Sequence, residues 1–304
     1  MRVLVLGGTR FIGAAAVRAL VAGGWPVTVF HRGETEAPLP AAVEHIHGDR
    51  DDAVALARAL ERVEPTVVLD MITSAERQAR ATVGLLAGRT PRLVLASSID
   101  VYRAYDRLAG RDAGPPDPVP LAEDAPLRTS RFPRRDVAPG VDDYDKLLVE
   151  RAYVEDPRLA VTCLRLPFVF GPGDYRRRVQ GLLELLRSDG DVVLSPAEAA
   201  WRCTRAHVDD VAAAIAAAVA DERAAGETFN LGDPMALSTE EWTRRVGELV
   251  GWRGQLRLDP NAPPALAWAQ DLVVDTSRLR RVLGFAEPLG LALGLQRTVE
   301  SAPV

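Results

Sequence analysis

The sequence predicts an α/β protein built on a doubly wound parallel sheet. Three observations carry that expectation. Val3-Leu4-Val5-Leu6 is a short apolar run that enters Gly7-Gly8-Thr9-Arg10-Phe11-Ile12-Gly13, and from Ala14 to Leu20 the pattern turns helical. Strand-like and helix-like segments then alternate with short connections, the order that a parallel sheet covered on both faces requires. The strand runs are nearly continuous in apolar residues, as in Val67-Val68-Leu69-Asp70-Met71-Ile72, which fits burial on two faces.

The first element is a strand that meets a helix N-terminus through glycines. Glycine lets the backbone approach a pyrophosphate, and free N–H groups with the helix dipole favour negative charge. A dinucleotide is therefore expected against Gly7, Thr9, Arg10, Phe11, Ile12 and Gly13. Gly23-Gly24-Trp25-Pro26 stops the first helix. Val27–Phe30 is the second strand and ends in His31-Arg32-Gly33. A carboxylate there would bond a ribose 2′-hydroxyl and disfavour a 2′-phosphate, and a base does the reverse. The chain has His31 and Arg32 at that point and Arg10 in the loop, so NADP is expected over NAD. A merely solvated Arg32 is the alternative.

Val43–His47 reads as a third strand. Asp49 after it is placed either against the adenine or as the N-cap of a helix over Ala53–Arg62. Val67–Ile72 is the fourth strand, Ala75–Ala87 a helix, and Arg92–Ala96 the fifth strand, ending in Ser97-Ser98. Ligands of such a sheet lie beyond the carboxyl ends of its strands, where Gly7, Arg32, Asp49, Asp70 and Ser98 should gather.

From Arg103 to Val141 regularity is lost, and Gly114-Pro115-Pro116-Asp117-Pro118-Val119-Pro120 suits neither a helix nor an inner strand. This stretch carries Arg128, Arg131, Arg134 and Arg135. It reads either as a lid bringing charge to an anionic substrate or as a solvated basic loop. Asp143–Ala152 is a helix, and Ala160–Leu166 a sixth strand leading into Pro167-Phe168-Val169-Phe170-Gly171-Pro172-Gly173. Further expected elements are a helix over Tyr175–Arg187, a strand over Val192–Leu194, a helix over Val211–Ala220 and a strand over Thr228–Leu231. Ser238-Thr239-Glu240-Glu241 opens a helix over Trp242–Val250, and Asp275–Gly284 is a helix closed by glycine. The division expected is 1–170 with about 205–233 for the sheet domain, and 171–204 with 234–304 for a smaller, interleaved substrate-binding domain.

The chain has 304 residues, 47% of them hydrophobic, and a net charge of −5. That balance offers no overall basic footprint for nucleic acid. Cys163 and Cys203 lack ligand spacing and read as buried thiols. No apolar run approaches the roughly 20 residues of a membrane span, and the short run before the paired glycines reads as a core strand rather than a signal peptide. A soluble, cytoplasmic protein acting on a small molecule is expected, without membrane or nucleic-acid partners.

In order along the chain, Gly7–Gly13, Ser97-Ser98-Ile99-Asp100-Val101-Tyr102, Lys146 with Glu150, Leu166–Gly173, His207-Val208-Asp209-Asp210-Val211, Asn230 and Asp275–Pro288 resemble the extended short-chain dehydrogenase/reductase superfamily. This is the NAD(P)-dependent epimerase/dehydratase family, whose Rossmann-type sheet domain carries a smaller C-terminal substrate-binding domain. Gly-Gly-Thr-Arg-Phe-Ile-Gly is similar to an atypical branch that includes the chloroplast stem-loop-binding proteins, with Arg10 where the family has its middle glycine.

The resemblance implies hydride and proton transfer at a secondary alcohol or ketone, on a nucleotide sugar or another small metabolite. It implies a serine, a lysine and a tyrosine four residues before the lysine, since i and i+4 share a helix face. Ser98 and Lys146 occupy the serine and lysine positions, but Asp142 stands four residues before Lys146 and Tyr144 two. Two residues on one helix are about 200° apart, so Tyr144 and Lys146 would face nearly opposite ways. Three readings stand. The helix begins late and Tyr144 swings into the site from a turn; Asp142 transfers the proton; or redox chemistry is lost and only cofactor binding remains. A carboxylate beside an ammonium has a depressed pKa and is a poor acid, which argues against Asp142.

Tyr102 and Tyr105 are further donors. Tyr102, Arg176 and Arg177 are expected at the substrate, and Lys146 and Pro167 at the cofactor. The resemblance makes His207-Val208-Asp209-Asp210 a structural joint, and no metal is expected. It also implies a homodimer through the helices after the fourth and fifth strands. The rival readings are a cofactor-binding sensor or scaffold without turnover and, from the branch resemblance alone, an RNA-binding protein.

Overall fold

The apolar run at the N-terminus forms β1 (Val3–Leu6), whose four side chains are all fully buried. The computed structural model describes residues 2–35, 37–89, 92–135, 140–263 and 265–302. After β1 come α1 (Phe11–Ala22), β2 (Val27–His31), β3 (Glu44–His47), α2 (Ala53–Val63), β4 (Val67–Asp70), α3 (Glu76–Leu86), β5 (Arg92–Ser98) and α4 (Arg103–Leu108). The chain continues with α5 (Lys146–Val154), β6 (Ala160–Leu166), β7 (Phe168–Phe170), α6 (Gln180–Arg187), β8 (Val192–Leu194), α7 (Pro196–Ala200), β9 (Arg205–His207) and α8 (Val208–Ala220). It ends with β10 (Thr228–Asn230), α9 (Thr239–Val250), β11 (Leu256–Leu258), α10 (Ser277–Leu283) and α11 (Gly290–Ser301).

Seven strands form one parallel sheet in the order β10-β6-β5-β4-β1-β2-β3. The order reverses between β1 and β4, so the loops leaving these strands part and open a crevice at their carboxyl ends. One face of the sheet is covered by α1 and α8, which pack together through small residues including Ala15, Ala16, Ala212 and Ala218. The other face is covered by α2, α3 and α5, with Leu56, Ala79, Val149 and Tyr153 in its core. A third core, around Phe170, Leu183, Trp242, Val246 and Leu295, joins α6, α9 and α11. Cys163 and Cys203 are both buried thiols.

Several expected boundaries shift. The helix expected from Asp143 begins at Lys146 and the one expected from Tyr175 begins at Gln180, while α4 forms inside the stretch that reads as irregular. The cap of α2 is Asp52, which accepts the N–H groups of Val54 and Ala55, so Asp49 is not the N-cap.

Asp70, expected beside the ligand, is a correction. As the last residue of β4 it points into the protein and is fully buried. Arg50 Nη1 donates to both of its oxygens, at 3.1 and 3.2 Å, and Tyr153 O–H donates to Oδ2 at 2.6 Å. The N–H groups of Ile72 and Thr73 donate to Oδ1 at 3.1 and 2.9 Å. Burial alone would raise the Asp70 pKa, but the Arg50 charge and these hydrogen bonds outweigh it and hold the carboxyl below its usual range. Removing one partner of such a buried pair strands the other charge. Asp70→Ala is therefore expected to lower the unfolding free energy by about 3–5 kcal/mol in urea titrations. Glu76→Ala, which breaks the exposed pair with Arg80, should change it by less than about 1 kcal/mol.

Candidate active site

A cleft of about 940 Å³ runs along the carboxyl ends of the strands, within the usual size range of cofactor and small-molecule sites. Its floor at one end is the glycine turn. Gly7 and Gly8 take φ values of +88° and +89°, and a Cβ on Gly13 would lie 2.9 Å from the Gly8 Cα. The turn therefore closes only without side chains at these points. It delivers the chain to α1, whose N-terminus has no side-chain cap and no acid in its first turn. Orphan N–H groups without a local anion suit a pyrophosphate. Arg10 and Tyr175 also line the cleft, with the guanidinium 4.1 Å from the ring centroid. Thr9, Phe11, Ile12, His31, Arg32, Asp49 and Pro167 line it as well.

At the other end the residues come from the start of α5 and the end of β5. Asp145 caps α5, accepting the Leu148 N–H at 3.1 Å, and pairs with Arg128; both side chains are buried. The cap starts the helix at Lys146, so Tyr144 lies in a preceding turn that is free of the helical 100° step. Tyr144 O–H donates to Asp100 Oδ2 at 2.7 Å. Lys146 Nζ donates to the carbonyls of Thr73 and Ala96, both at 2.6 Å. Ser98 Oγ accepts the Asp100 N–H at 3.1 Å, which leaves its own hydroxyl proton for another acceptor. Ser98, Asp100, Tyr144 and Lys146 all line the cleft.

Charge shapes this end. Burial, and next the Asp100 carboxylate, push the Tyr144 hydroxyl well above its ordinary pKa, against the opposing charge of Arg134. The Arg134 guanidinium lies 4.4 Å from the Tyr144 ring centroid and 3.6 Å from Asp100 Oδ2. Asp100 Oδ1 is buried without a hydrogen-bond partner. Burial also lowers the Lys146 pKa, with Asp70 and Asp100 working against it. Tyr105, Trp201, Cys203 and Leu272 add a largely apolar wall, where burial pushes the Cys203 thiol up to about 11.

Behind the cleft, Glu150 on the next turn of α5 receives Arg165 at 2.8 Å and the Ser97 hydroxyl at 2.5 Å. Arg165 Nη1 donates to Tyr102 Oη at 2.9 Å, and the Tyr102 hydroxyl donates to Asn230 Oδ1 at 2.7 Å.

Four expectations need correction, at Tyr102, Asp142, Arg177 and Arg128. Tyr102 is fully buried in this network and cannot face a substrate. Asp142 is exposed, does not line the cleft, and meets Arg135 only through its backbone carbonyl. Arg177 turns away and pairs with Glu184, whereas Arg176 lines the cleft. Arg128 is not on a lid; it is the buried partner of Asp145. His31 is buried, with its Nε2 2.9 Å from His45 Nδ1. Arg32 is exposed and pairs with Glu34 at 2.8 Å. His207 Nδ1 accepts the Asp209 N–H and caps α8, while Asp210 holds the N–H groups of Leu289 and Gly290 at the start of α11. Asp100 escaped the sequence reading, although it is the one ionisable side chain between Ser97 and Tyr102.

The sequence model of the NAD dependent epimerase/dehydratase family matches residues 3–87 and 144–232, more than half of the chain. The chain belongs to this family. The epimerase/dehydratase fold supplies NAD-binding and oxidoreductase or epimerase chemistry of the general kind. Among its relatives, 2′-dehydrokanamycin reductase of Streptomyces kanamyceticus is 28% identical over 96% of this chain and 78% of its own. The chloroplast stem-loop binding protein of 41 kDa b of Arabidopsis thaliana is 24% identical over 76% of this chain and 58% of its own. The UDP-glucose 4-epimerase of Thermus thermophilus, solved with NAD, shares the fold at a TM-score of 0.71 and 22% identity, over 99% of this chain and 98% of that one. Among the described residues no helix is long and apolar enough to cross a membrane.

The Arg128–Asp145 pair yields a pH test. Burial raises the Asp145 pKa, but the Arg128 hydrogen bond and the Phe132 and Leu148 N–H groups outweigh it and hold the carboxyl below its usual value. A carboxyl depressed in the folded state stabilises fully above its unfolded pKa of about 3.9 and loses that contribution as pH falls through the folded value. The midpoint of thermal unfolding should therefore hold down to about pH 5 and fall below it. Asp145→Asn should start lower at neutral pH and fall less steeply in acid.

Proposed function

We propose that the protein is an NADP-dependent reductase-type enzyme that moves a hydride and a proton between cofactor and a secondary alcohol or ketone on a sugar-like small molecule. The observation that carries this is the Tyr144 hydroxyl on Asp100, in the same cleft as Ser98 and Lys146. The likeness to a reductase along 96% of the chain supports the reductive sense. When bound, the nicotinamide supplies the hydride. Ser98 uses its free hydroxyl proton to hold the substrate oxygen. Tyr144 delivers its proton to that oxygen as negative charge develops there, and Asp100 positions the phenol. Lys146, fixed by two carbonyls, has a third N–H for a ribose hydroxyl. Tyr144 then regains a proton from water.

Arg32 supports NADP over NAD, because a 2′-phosphate can replace Glu34 as the partner of its guanidinium and can take it bidentately. Arg32→Ala is expected to weaken NADPH binding about tenfold or more while leaving NADH nearly unchanged. Equal losses for the two cofactors would remove the NADP preference.

The chemistry is tested by NADPH consumption against a panel of keto sugars, dehydro-aminoglycosides and nucleotide keto sugars. Tyr144→Phe should lower kcat by about 10²–10⁴-fold and leave the cofactor Kd within about twofold. A second reading, a cofactor-binding protein without turnover, draws on the exposed Asp142 at the position of the family's tyrosine. Tight NADPH binding with no consumption across the panel would favour it. Salt-sensitive retention of RNA would favour the nucleic-acid reading instead.

A further inference from the structure

The chain has four histidines, and three of them meet at the edge of the sheet. β2 and β3 run parallel with His31 opposite His47. His45 lies two residues before His47, so the pleat puts both on one face. One nitrogen from each ring falls in a group within 4.8 Å of one another, with His31 Nε2 and His45 Nδ1 at 2.9 Å. The rings stand edge to face, at centroid separations of 5.1, 4.9 and 6.5 Å. His31 is buried, while His45 and His47 are exposed.

We propose that His31, His45 and His47 form a binding site for a divalent transition-metal ion of the zinc type, coupled to the ribose end of the cleft. Three imidazoles with an open fourth position make a recurrent zinc arrangement, and bond lengths of about 2.0–2.1 Å put the nitrogens of a tetrahedral site about 3.3–3.4 Å apart. With one pair at 2.9 Å and all three nitrogens within 4.8 Å of one another, small side-chain movements reach that spacing. Two of the three rings sit on an exposed edge strand, where they can close on an ion without disturbing the core. The exposure of His45 and His47 gives an ion its entry path from solvent.

The coupling follows from the tautomer of His31. The Gly33 N–H donates to His31 Nδ1 at 3.1 Å, so Nδ1 carries the lone pair and Nε2 carries the proton that points at His45. A metal on Nε2 moves that proton to Nδ1, because a neutral ring keeps one. The Gly33 N–H then loses its acceptor. Gly33 belongs to the turn Arg32–Thr35, which lines the cleft at the end of β2. Metal binding therefore shifts the turn that carries Arg32, and the cofactor's affinity shifts with it.

The test uses the full chain, freed of metal with EDTA and dialysed, and ZnCl2 titrated against a chromophoric chelator. One Zn²⁺ per chain is expected, and Co²⁺ should give the visible bands of a tetrahedral nitrogen site. His45→Ala and His47→Ala should each weaken binding at least about tenfold, and the double variant should abolish it. An unchanged unfolding midpoint in EDTA shows that the variants are folded. Equal zinc uptake by the wild type and the double variant, or none by either, overturns the site. NADPH binding measured by fluorescence with Zn²⁺ and with EDTA should differ in the wild type and agree in the double variant. Zinc binding that leaves NADPH affinity unchanged overturns the coupling. The zinc titration requires no turnover, so it stands apart from the proposed reaction.

Discussion

The buried pairing of Arg128 with Asp145 decides where α5 begins, and the arrangement of the cleft depends on that point. Asp145 accepts from Arg128, from the Phe132 N–H at 3.0 Å and from the Leu148 N–H, while its own N–H donates to the Ser74 carbonyl at 2.8 Å. The residue is therefore tied to the long loop, to the end of β4 and to its own helix. A helix running back through Asp142 would turn Tyr144 about 200° from Lys146. With the cap in place, Tyr144 leaves the helical register and reaches Asp100, and Lys146 enters beneath the strand ends. A buried ion pair of this kind adds little net stability over apolar residues of the same size, but it fixes geometry by making the unpaired alternatives costly.

One turn further along α5, Glu150 does the same for the sheet. Its carboxylate gathers Arg165 from β6 and Ser97 from β5, and through Arg165 it reaches Tyr102 and, at the next step, Asn230 on β10. Each hydroxyl and guanidinium here is removed from water, so the network holds only while its members are paired. Burial pushes the Tyr102 phenol up even with Arg165 beside it. Residues of the recognisable sequence motif thus divide into two sets. Ser98 and Lys146 face the cleft, and Tyr102, Glu150 and Asn230 hold the strands that present them.

The central strands were legible because burial on both faces leaves continuous apolar runs, and Ala160–Leu166 coincides with its expected limits. Of the three-residue strands, β8 and β10 were legible too, whereas β7, β9 and β11 were not, since so short a segment has no period to read and Pro167, Arg205 with His207, and Arg257 interrupt the apolar pattern there. Strand ends misled for a different reason. Asp70 closes β4 beside the cleft in sequence, yet the pleat sends its side chain inward to Arg50. Arg177 follows Arg176 by one residue and points to Glu184 instead. The histidine group was hidden because His31 lies 14 residues from His45, and only the register of β2 against β3 brings the rings together.

The displaced tyrosine also changes the chemistry it can offer. In the family pattern an adjacent ammonium lowers the tyrosine pKa and lets the phenol give or take a proton. Here the hydroxyl is bonded to a carboxylate, and burial and the Asp100 charge both favour the neutral phenol. Arg134, stacked on the ring, pulls the other way without reversing the balance. A phenol held protonated is ready to donate to an oxygen that gains negative charge, as a ketone does on receiving hydride. It is poorly placed to remove a proton from an alcohol, because that step needs the tyrosinate beforehand, and a tyrosinate would sit against Asp100. On the proposed reading, the exchange of a lysine partner for an aspartate partner biases the site toward reduction.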